Sequence, residues 1–206
     1  MSTLALFVDA NFLSPYAMSA FVALHEKELE FEIITVDLNS KKHRETSYTK
    51  VSITGRVPTL IHNGYALSES SAIAEYLDEV FLNPPIYPKN VQHRARARQV
   101  QAWLRSDLTQ LRQERSTEVI FSKPTAAPLS LAAQAEVQKL FFTANELLKP
   151  GDENLFGNWS IADVNLVLML NRLILNGDPV PERLVAYARH QWQRPSVQLW
   201  VNQRRK

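Results

Sequence analysis

Hydrophobic positions in the first third of the chain alternate between the spacing of strands and that of helices. Residues 3–8 and 31–38 are short apolar segments that predict strands, and residues 18–22 between them recur at helical spacing. Two further apolar segments, within 59–67, flank a turn and predict a β-hairpin, and a helical stripe follows from Ile73. The pattern predicts a small α/β domain of the order βαβ then ββα.

The pattern changes after residue 82. Prolines at positions 84, 85 and 88 fit neither a helix interior nor a central strand, so residues 83–89 are predicted to be a linker. Beyond it apolar residues recur at helical spacing, and one stripe from Val100 to Leu111 predicts a long helix. We therefore predict an α/β domain over residues 1–82 and an all-helical domain over residues 90–206.

Two serines have the surroundings of helix N-caps. Ser14 precedes Pro15, and proline is favoured at the first helical position. Ser160 precedes Asp163 by three residues, which is a variant of the capping box. The segment after Ser160 is apolar nearly all round, so we predict that it forms the core of the second domain.

Composition narrows the classes of function. Hydrophobic residues make up 45% of the 206 residues and the net charge is only +2, so a folded protein is predicted and neither nucleic acid nor an anionic membrane is required as a partner. The absence of cysteine excludes disulfides and a cysteine nucleophile. The five histidines have no ligand spacing, so we expect no metal site. No segment resembles a signal peptide or a membrane span, and a soluble, cytoplasmic protein is expected.

One stretch of the α/β domain suggests a ligand site. Arg56-Val57-Pro58 precedes the hairpin, and Glu69-Ser70 follows it at a predicted helix start. A free backbone edge beside a helix N-terminus suits an acidic, peptide-like molecule, because the helix N–H groups attract a carboxylate. In isolation, Pro58 could equally start an edge strand and Ser70 could be an ordinary N-cap.

Taken in order, Ser14-Pro15-Tyr16, Val57-Pro58, Glu69-Ser70 and the motif Ser160–Asp163 resemble the cytosolic glutathione transferase superfamily. The resemblance covers essentially the whole chain. The chain looks like a bacterial member of the superfamily with serine at the thiol-activating position. It implies a thioredoxin-like domain followed by an all-helical domain, and a homodimer. It also implies glutathione as co-substrate without another cofactor. The implied activity is transfer of glutathione to hydrophobic electrophiles, and in many members of the superfamily also glutathione-dependent reduction of organic hydroperoxides.

The resemblance also implies roles in binding glutathione. Val57 would pair with the cysteinyl backbone as an added strand would, with Pro58 in the cis form. Ser70 would hold the γ-glutamyl carboxylate, and Glu69 would accept from the γ-glutamyl ammonium. For the glycyl carboxylate we favour two cations, Arg56 and Lys42.

Ser14 is the candidate for activating the thiol. A hydroxyl that donates to sulfur favours the thiolate, and so does a helix N-terminus. Asn11, in the same loop, could donate its amide N–H instead, and the sequence leaves both open.

A pocket for the electrophile is implied between the first loop and the first long helix of the second domain, and its candidate wall residues are Phe12, Trp103, Asp107 and Arg115. Two alternatives stay open: a binding or regulatory module without catalysis, and a glutathione-dependent disulfide reductase.

Overall fold

The computed structural model describes residues 3–203, and these residues form two compact units. The first comprises residues 3–86 together with 195–203, and the second comprises residues 87–194. The predicted fold class, an α/β domain followed by an all-helical domain, is confirmed. One difference concerns residues 195–203, which the sequence analysis placed in the helical domain and which pack with the first unit.

The sheet of the first unit has four strands among the described residues, in the order β2-β1-β3-β4. The central strand β1 is parallel to β2 and antiparallel to β3, which is antiparallel to β4. The strands are β1 (Leu4–Asp9), β2 (Glu32–Val36), β3 (Thr59–His62) and β4 (Tyr65–Ser68). Asn63 and Gly64 form the two-residue hairpin loop, both with positive φ (50° and 85°), as this tight turn requires.

Four helices accompany this sheet in the described part of the first unit: α1 (Pro15–Glu26), α2 (Thr46–Thr49), α3 (Ser70–Val80) and α10 (Pro195–Val201). A short 3₁₀ turn, Lys42–Arg44, precedes α2. Helix α1 packs against both α3 and α10. The fully buried Trp200 meets the ring of Phe21 at 5.3 Å, and this contact explains why α10 joins the first unit.

A buried ion pair fixes the end of α1 to α3. The Lys27 ammonium donates to Asp78 Oδ1 at 2.6 Å and to the Phe81 carbonyl oxygen at 2.6 Å. Its side chain is 0% exposed and that of Asp78 is 3% exposed. The backbone N–H of Ile86 also donates to Asp78 Oδ1, at 2.9 Å. The carboxylate therefore ties three segments of the unit together.

The described residues of the second unit form six helices: α4 (Val91–Ser106), α5 (Thr109–Glu114), α6 (Glu118–Phe121), α7 (Leu131–Leu147), α8 (Ile161–Ile174) and α9 (Glu182–Trp192). Helix α8 is buried nearly all round, as predicted. The stripe from Val100 to Leu111 is not one helix, because the chain breaks at Leu108, which has a φ of 57°. The Asp107 carboxylate accepts the Leu108 N–H at 2.9 Å and stabilises this break.

The predicted capping box opens α8. The Ser160 backbone N–H donates to Asp163 Oδ2 at 2.8 Å, and its hydroxyl donates to the same oxygen at 3.0 Å. Oδ1 accepts the Leu155 N–H and the Tyr187 hydroxyl, each at 2.8 Å. Burial raises the pKa of Asp163, although its four hydrogen bonds act in the opposite direction. Burial and Asp163 also raise the pKa of Tyr187 well above its usual range.

Among residues 3–203, each helix is too short or too polar to span a lipid bilayer. The basic end of the chain, residues 204–206, lies outside the described residues.

Candidate functional site

Ser14 lies in the loop that joins β1 to α1, and its hydrogen bonds leave one donor available. Its side-chain oxygen accepts the Ala17 N–H at 3.2 Å, so Ser14 is the N-cap of α1, with Pro15 at the first helical position. Its backbone N–H donates to Asp9 Oδ1 at 3.0 Å. No acceptor for its O–H is present among residues 3–203. The Ser14 hydroxyl can therefore donate to a ligand atom beside the start of α1.

A group of hydroxyls anchors the backbone just before Pro58. The Arg56 carbonyl oxygen accepts from Tyr48 at 2.8 Å, Thr59 at 3.0 Å and Ser52 at 3.2 Å. Burial raises the pKa of Tyr48, which keeps this phenol protonated and able to donate. The Arg56 peptide is thereby fixed from three sides.

Val57 follows this anchored peptide and presents an unused edge. The Val57–Pro58 bond is cis, as predicted. Within residues 3–203, neither the N–H nor the C=O of Val57 has a hydrogen-bond partner. A peptide-like ligand could occupy both groups, as a neighbouring strand would.

Ser14, Arg56 and Val57 border one cavity of about 590 Å³ in the first unit. This volume is in the range of small-molecule sites, roughly 300–1,000 Å³. The other lining residues come mostly from the segment after β2 and are Tyr16, Leu38, His43, Arg44, Thr49, Thr54 and Gly55. The cavity thus brings a hydroxyl donor, a backbone edge and cationic side chains together.

Two arginines and a histidine give this cavity a basic wall. Arg44 and Arg56 are exposed at its edge, and Nδ1 of His43 is buried without a partner among the described residues. Lys42, which the sequence analysis favoured, is exposed and does not line the cavity. Arg44 and His43 were missed because nothing in the sequence indicates which side chains of the polar segment 39–50 face the ligand.

Glu69 and Ser70 lie at the start of α3, outside the lining of this cavity. Ser70 is buried, whereas Glu69 is exposed and caps the helix without a side-chain hydrogen bond. Glu69 has a φ of 77°, a conformation that costs a non-glycine residue about 1–3 kcal/mol. Such strain is often found at functional sites.

Asn11 and Phe12 precede Ser14 in its loop. Asn11 is half-buried and is not a lining residue of the cavity, whereas Ser14 is one. Phe12 is 9% exposed, and its ring meets that of Trp200 at 5.2 Å in the core of the first unit. This packing leaves little of the Phe12 ring for a ligand.

The other candidates for the electrophile pocket lie in the second unit. The Trp103 indole N–H donates to Asp107 Oδ2 at 2.9 Å, and Lys139 pairs with the same carboxylate. These bonds lower the pKa of Asp107.

Arg115 is 2% exposed and forms a bidentate ion pair with Asp178 at 2.6 and 2.8 Å. This pairing raises the pKa of Arg115 and lowers that of Asp178. The Arg115 guanidinium is therefore committed to a structural contact within the second unit.

Comparisons with known proteins identify the family. Residues 13–80 match the model of the glutathione S-transferase N-terminal domain, and residues 90–206 match that of the glutathione S-transferase C-terminal domain. A solved structure of a glutathione transferase homolog from Burkholderia gl BGR1, with bound glutathione, is 48% identical. It aligns over 97% of this chain and 96% of that chain with a TM-score of 0.81. The chain belongs to the glutathione S-transferase superfamily.

Curated relatives support the same assignment. A probable maleylacetoacetate isomerase of Caenorhabditis elegans is 30% identical over 78% of this chain and 76% of its own length. Glutathione S-transferase 1 of Dianthus caryophyllus is 31% identical, and the alignment covers 66% of this chain and 62% of that relative. The chain thus covers less than two thirds of the Dianthus relative.

Proposed function

We propose that the protein is a glutathione transferase that binds glutathione in the cavity of the first unit and ionises its thiol. The supporting observation is the convergence of the Ser14 hydroxyl, the unpaired backbone of Val57 and a basic wall on one cavity. A sulfur atom, a peptide backbone and a carboxylate each have a matching partner there. The relative from Burkholderia gl BGR1, whose structure contains bound glutathione, supports the same ligand.

Ser14 would supply the chemistry at sulfur. A free thiol titrates near pH 8.5, so only a few per cent is thiolate at neutral pH. The Ser14 O–H donates to the sulfur and α1 presents its N-terminus, and both favour the charged form. The thiol proton leaves to solvent, and the thiolate attacks the electrophilic carbon of the second substrate. With an aryl halide, the new C–S bond replaces the carbon–halogen bond and the halide ion leaves to solvent. No proton-accepting side chain is required.

The start of α3 would receive the γ-glutamyl end. The Ser70 hydroxyl and the first N–H groups of the helix suit the γ-glutamyl carboxylate, and the exposed Glu69 suits the ammonium group. The strained backbone of Glu69 supports this role, since strain of this kind is retained where it orients groups for a ligand.

The glycyl carboxylate would lie against the basic wall, where Arg56 and Arg44 replace Lys42 as the favoured cations. Arg56→Gln should raise the KM for glutathione about 5- to 20-fold, because one charge-assisted hydrogen bond is lost at a partly exposed position. The turnover number at saturating glutathione should change less than about two-fold, since this interaction is equal in ground and transition states. Steady-state kinetics test this, with Arg183→Gln on the exposed face of α9 as a charge-matched control. An unchanged KM would remove Arg56 from the site.

The second substrate is a hydrophobic electrophile in this proposal, and organic hydroperoxides are a further candidate class. The pocket predicted from Phe12, Trp103, Asp107 and Arg115, the homodimer and the cytoplasmic location remain predictions. Phe12 and Arg115 are buried, whereas Trp103 and Asp107 are partly exposed and are therefore the better candidates of the four.

Binding and activity can be tested on the whole chain. We expect retention on immobilised glutathione and elution by free glutathione. The retained protein is then assayed with an aryl halide, an organic hydroperoxide, a model disulfide and maleylacetoacetate, the last because of the name of the Caenorhabditis elegans relative. Turnover of the aryl halide supports the proposal. Retention without turnover of any substrate would favour the binding module, and exclusive turnover of the disulfide would favour the reductase.

A further inference from the structure

Asp9, at the end of β1, is a buried carboxylate for which the mechanism above gives no role. It is 5% exposed, and its two oxygens accept backbone N–H groups from the loop that follows. Oδ2 accepts from Leu13 at 2.6 Å, and Oδ1 accepts from Ser14 at 3.0 Å. Asp9 therefore holds the backbone of the residue whose hydroxyl faces the cavity.

The loop is folded back onto Asp9 by its own backbone. The Phe12 N–H donates to the Asp9 carbonyl oxygen at 3.0 Å, and Phe12 adopts a φ of 53° that bulky residues rarely take. The packing of its ring on Trp200 holds this conformation from the other side. With the loop turned in this way, Leu13 and Ser14 present their N–H groups to the carboxylate.

These contacts restrict both the backbone and the side chain of Ser14. Its N–H is used by Asp9, and a lone pair of its Oγ is used by the Ala17 N–H. A hydroxyl has one proton to donate, and with both other groups engaged the remaining O–H direction is toward the cavity. Loss of the Asp9 contacts would free the backbone N–H of Ser14 and allow the residue to leave its N-cap position.

We propose that Asp9 is a positioning residue for thiol activation: it holds Ser14 so that the hydroxyl donates to the sulfur of bound glutathione. This inference rests on the proposed function, because it requires glutathione in the cavity. Asp9 acts through Ser14 and not on the sulfur itself.

The positioning role of Asp9 and its negative charge predict opposite changes in the pKa of the bound thiol when Asp9 is replaced. A nearby negative charge disfavours a thiolate, so removing the charge of Asp9 would by itself lower the pKa of the bound thiol. If Asp9 instead positions Ser14, its removal raises that pKa, because the hydrogen bond to sulfur is weakened. The direction of the change therefore separates the two roles.

The test compares Asp9→Asn with the wild-type protein by titrating the ultraviolet absorbance of the thiolate of bound glutathione. We expect Asp9→Asn to raise the pKa of the bound thiol by about one unit and to lower turnover near pH 6.5 about 5-fold. Above about pH 9 the two proteins should turn over equally, since the thiol then ionises unaided. The affinity for glutathione should stay within about two-fold, as Asp9 does not line the cavity.

Asp37 offers a matched control at the end of the neighbouring parallel strand. Its Oδ1 accepts backbone N–H groups from Asn39 at 2.9 Å and Ser40 at 3.2 Å. Like Asp9, Asp37 lies at the end of a strand and has a carboxylate that accepts two backbone N–H groups of the following loop, but that loop does not include Ser14. Asp37→Asn should leave the pKa of the bound thiol within about 0.3 unit of the wild-type value.

An unchanged or lowered thiol pKa in Asp9→Asn would overturn the role of Asp9 while leaving the proposed function intact. A wild-type protein that leaves glutathione un-ionised would overturn the proposed function, and the role of Asp9 with it. If Asp9→Asn does not fold, amide hydrogen exchange of the wild-type protein is decisive. The N–H groups of Leu13 and Ser14 should exchange slowly, and fast exchange at both would overturn the inference.

Discussion

Ser14→Ala should lower the turnover number for an aryl halide about 10- to 100-fold near pH 6.5, because a hydrogen bond to a charged group contributes about 1.5–3 kcal/mol. The affinity for glutathione should change little, since Val57, the basic wall and α3 hold the rest of the peptide. The loss falls on turnover because the Ser14 hydroxyl stabilises the thiolate, which is the reacting species. Measuring the turnover number and KM separately for both substrates tests this distribution.

Two further variants define what the Ser14 result means. Ser14→Thr keeps the hydroxyl and the N-cap, so it should retain most of the activity. Asn11→Ala should keep turnover within about three-fold of wild type if Asn11 is not the donor. Asn11, unlike Ser14, is not a lining residue of the cavity. A Ser14→Ala protein with normal turnover, together with an inactive Asn11→Ala protein, would transfer the role to Asn11.

Lys27→Met should lower the free energy of unfolding by about 3–5 kcal/mol, because it removes the ammonium that pairs with the buried carboxylate of Asp78. The Lys27 side chain is 0% exposed and donates to two acceptors at 2.6 Å, so water cannot easily replace it. Methionine fills a similar volume, and the effect is therefore one of charge and not of a cavity. Denaturant unfolding of the whole chain measures it.

The double variant Lys27→Met/Asp78→Leu removes both members of the ion pair, so its free energy of unfolding can be compared with that of Lys27→Met. It should be more stable than Lys27→Met alone, since the buried carboxylate is then removed together with the ammonium that faced it. Lys123→Met, at an exposed position of the second unit, should change stability by less than about 0.5 kcal/mol. A Lys27→Met protein within about 1 kcal/mol of wild type would contradict the assigned role of this ion pair.

The elements that the sequence predicted well are those with local chemical signals. Ser14 before Pro15 predicted the start of α1, and Ser160 with Asp163 predicted the start of α8, because caps are set by residues three or four positions apart. The Asn63-Gly64 turn and the alternating segments around it likewise predicted the hairpin.

The features that the sequence did not predict depend on contacts between distant residues. The break at Leu108 is held by contacts to α7, since the Asp107 carboxylate that accepts the Leu108 N–H also pairs with Lys139. The Leu111 N–H likewise donates to Glu136 Oε2 of α7. The membership of α10 in the first unit depends on Trp200 packing against Phe12 and Phe21. Neither residue type nor spacing encodes these arrangements.

Only part of the candidate site was predicted, because the rest of it also depends on contacts formed in the folded chain. Ser14, Arg56 and Val57 were chosen from motifs, and they line one cavity. Arg44 was missed and Lys42 was preferred because both lie in a polar segment without periodicity. Asp9 was missed because an aspartate after a strand is common, and only the folded loop brings it to Ser14.

The most direct test of this account is the ionisation of glutathione on the wild-type protein. Titrating the thiolate absorbance of the saturated protein should give a pKa about two units below the value of about 8.5 expected for a free thiol. Ser14→Ala should move that pKa back toward the free value. A bound thiol that titrates like free glutathione in the wild-type protein would contradict the proposal that this site activates glutathione.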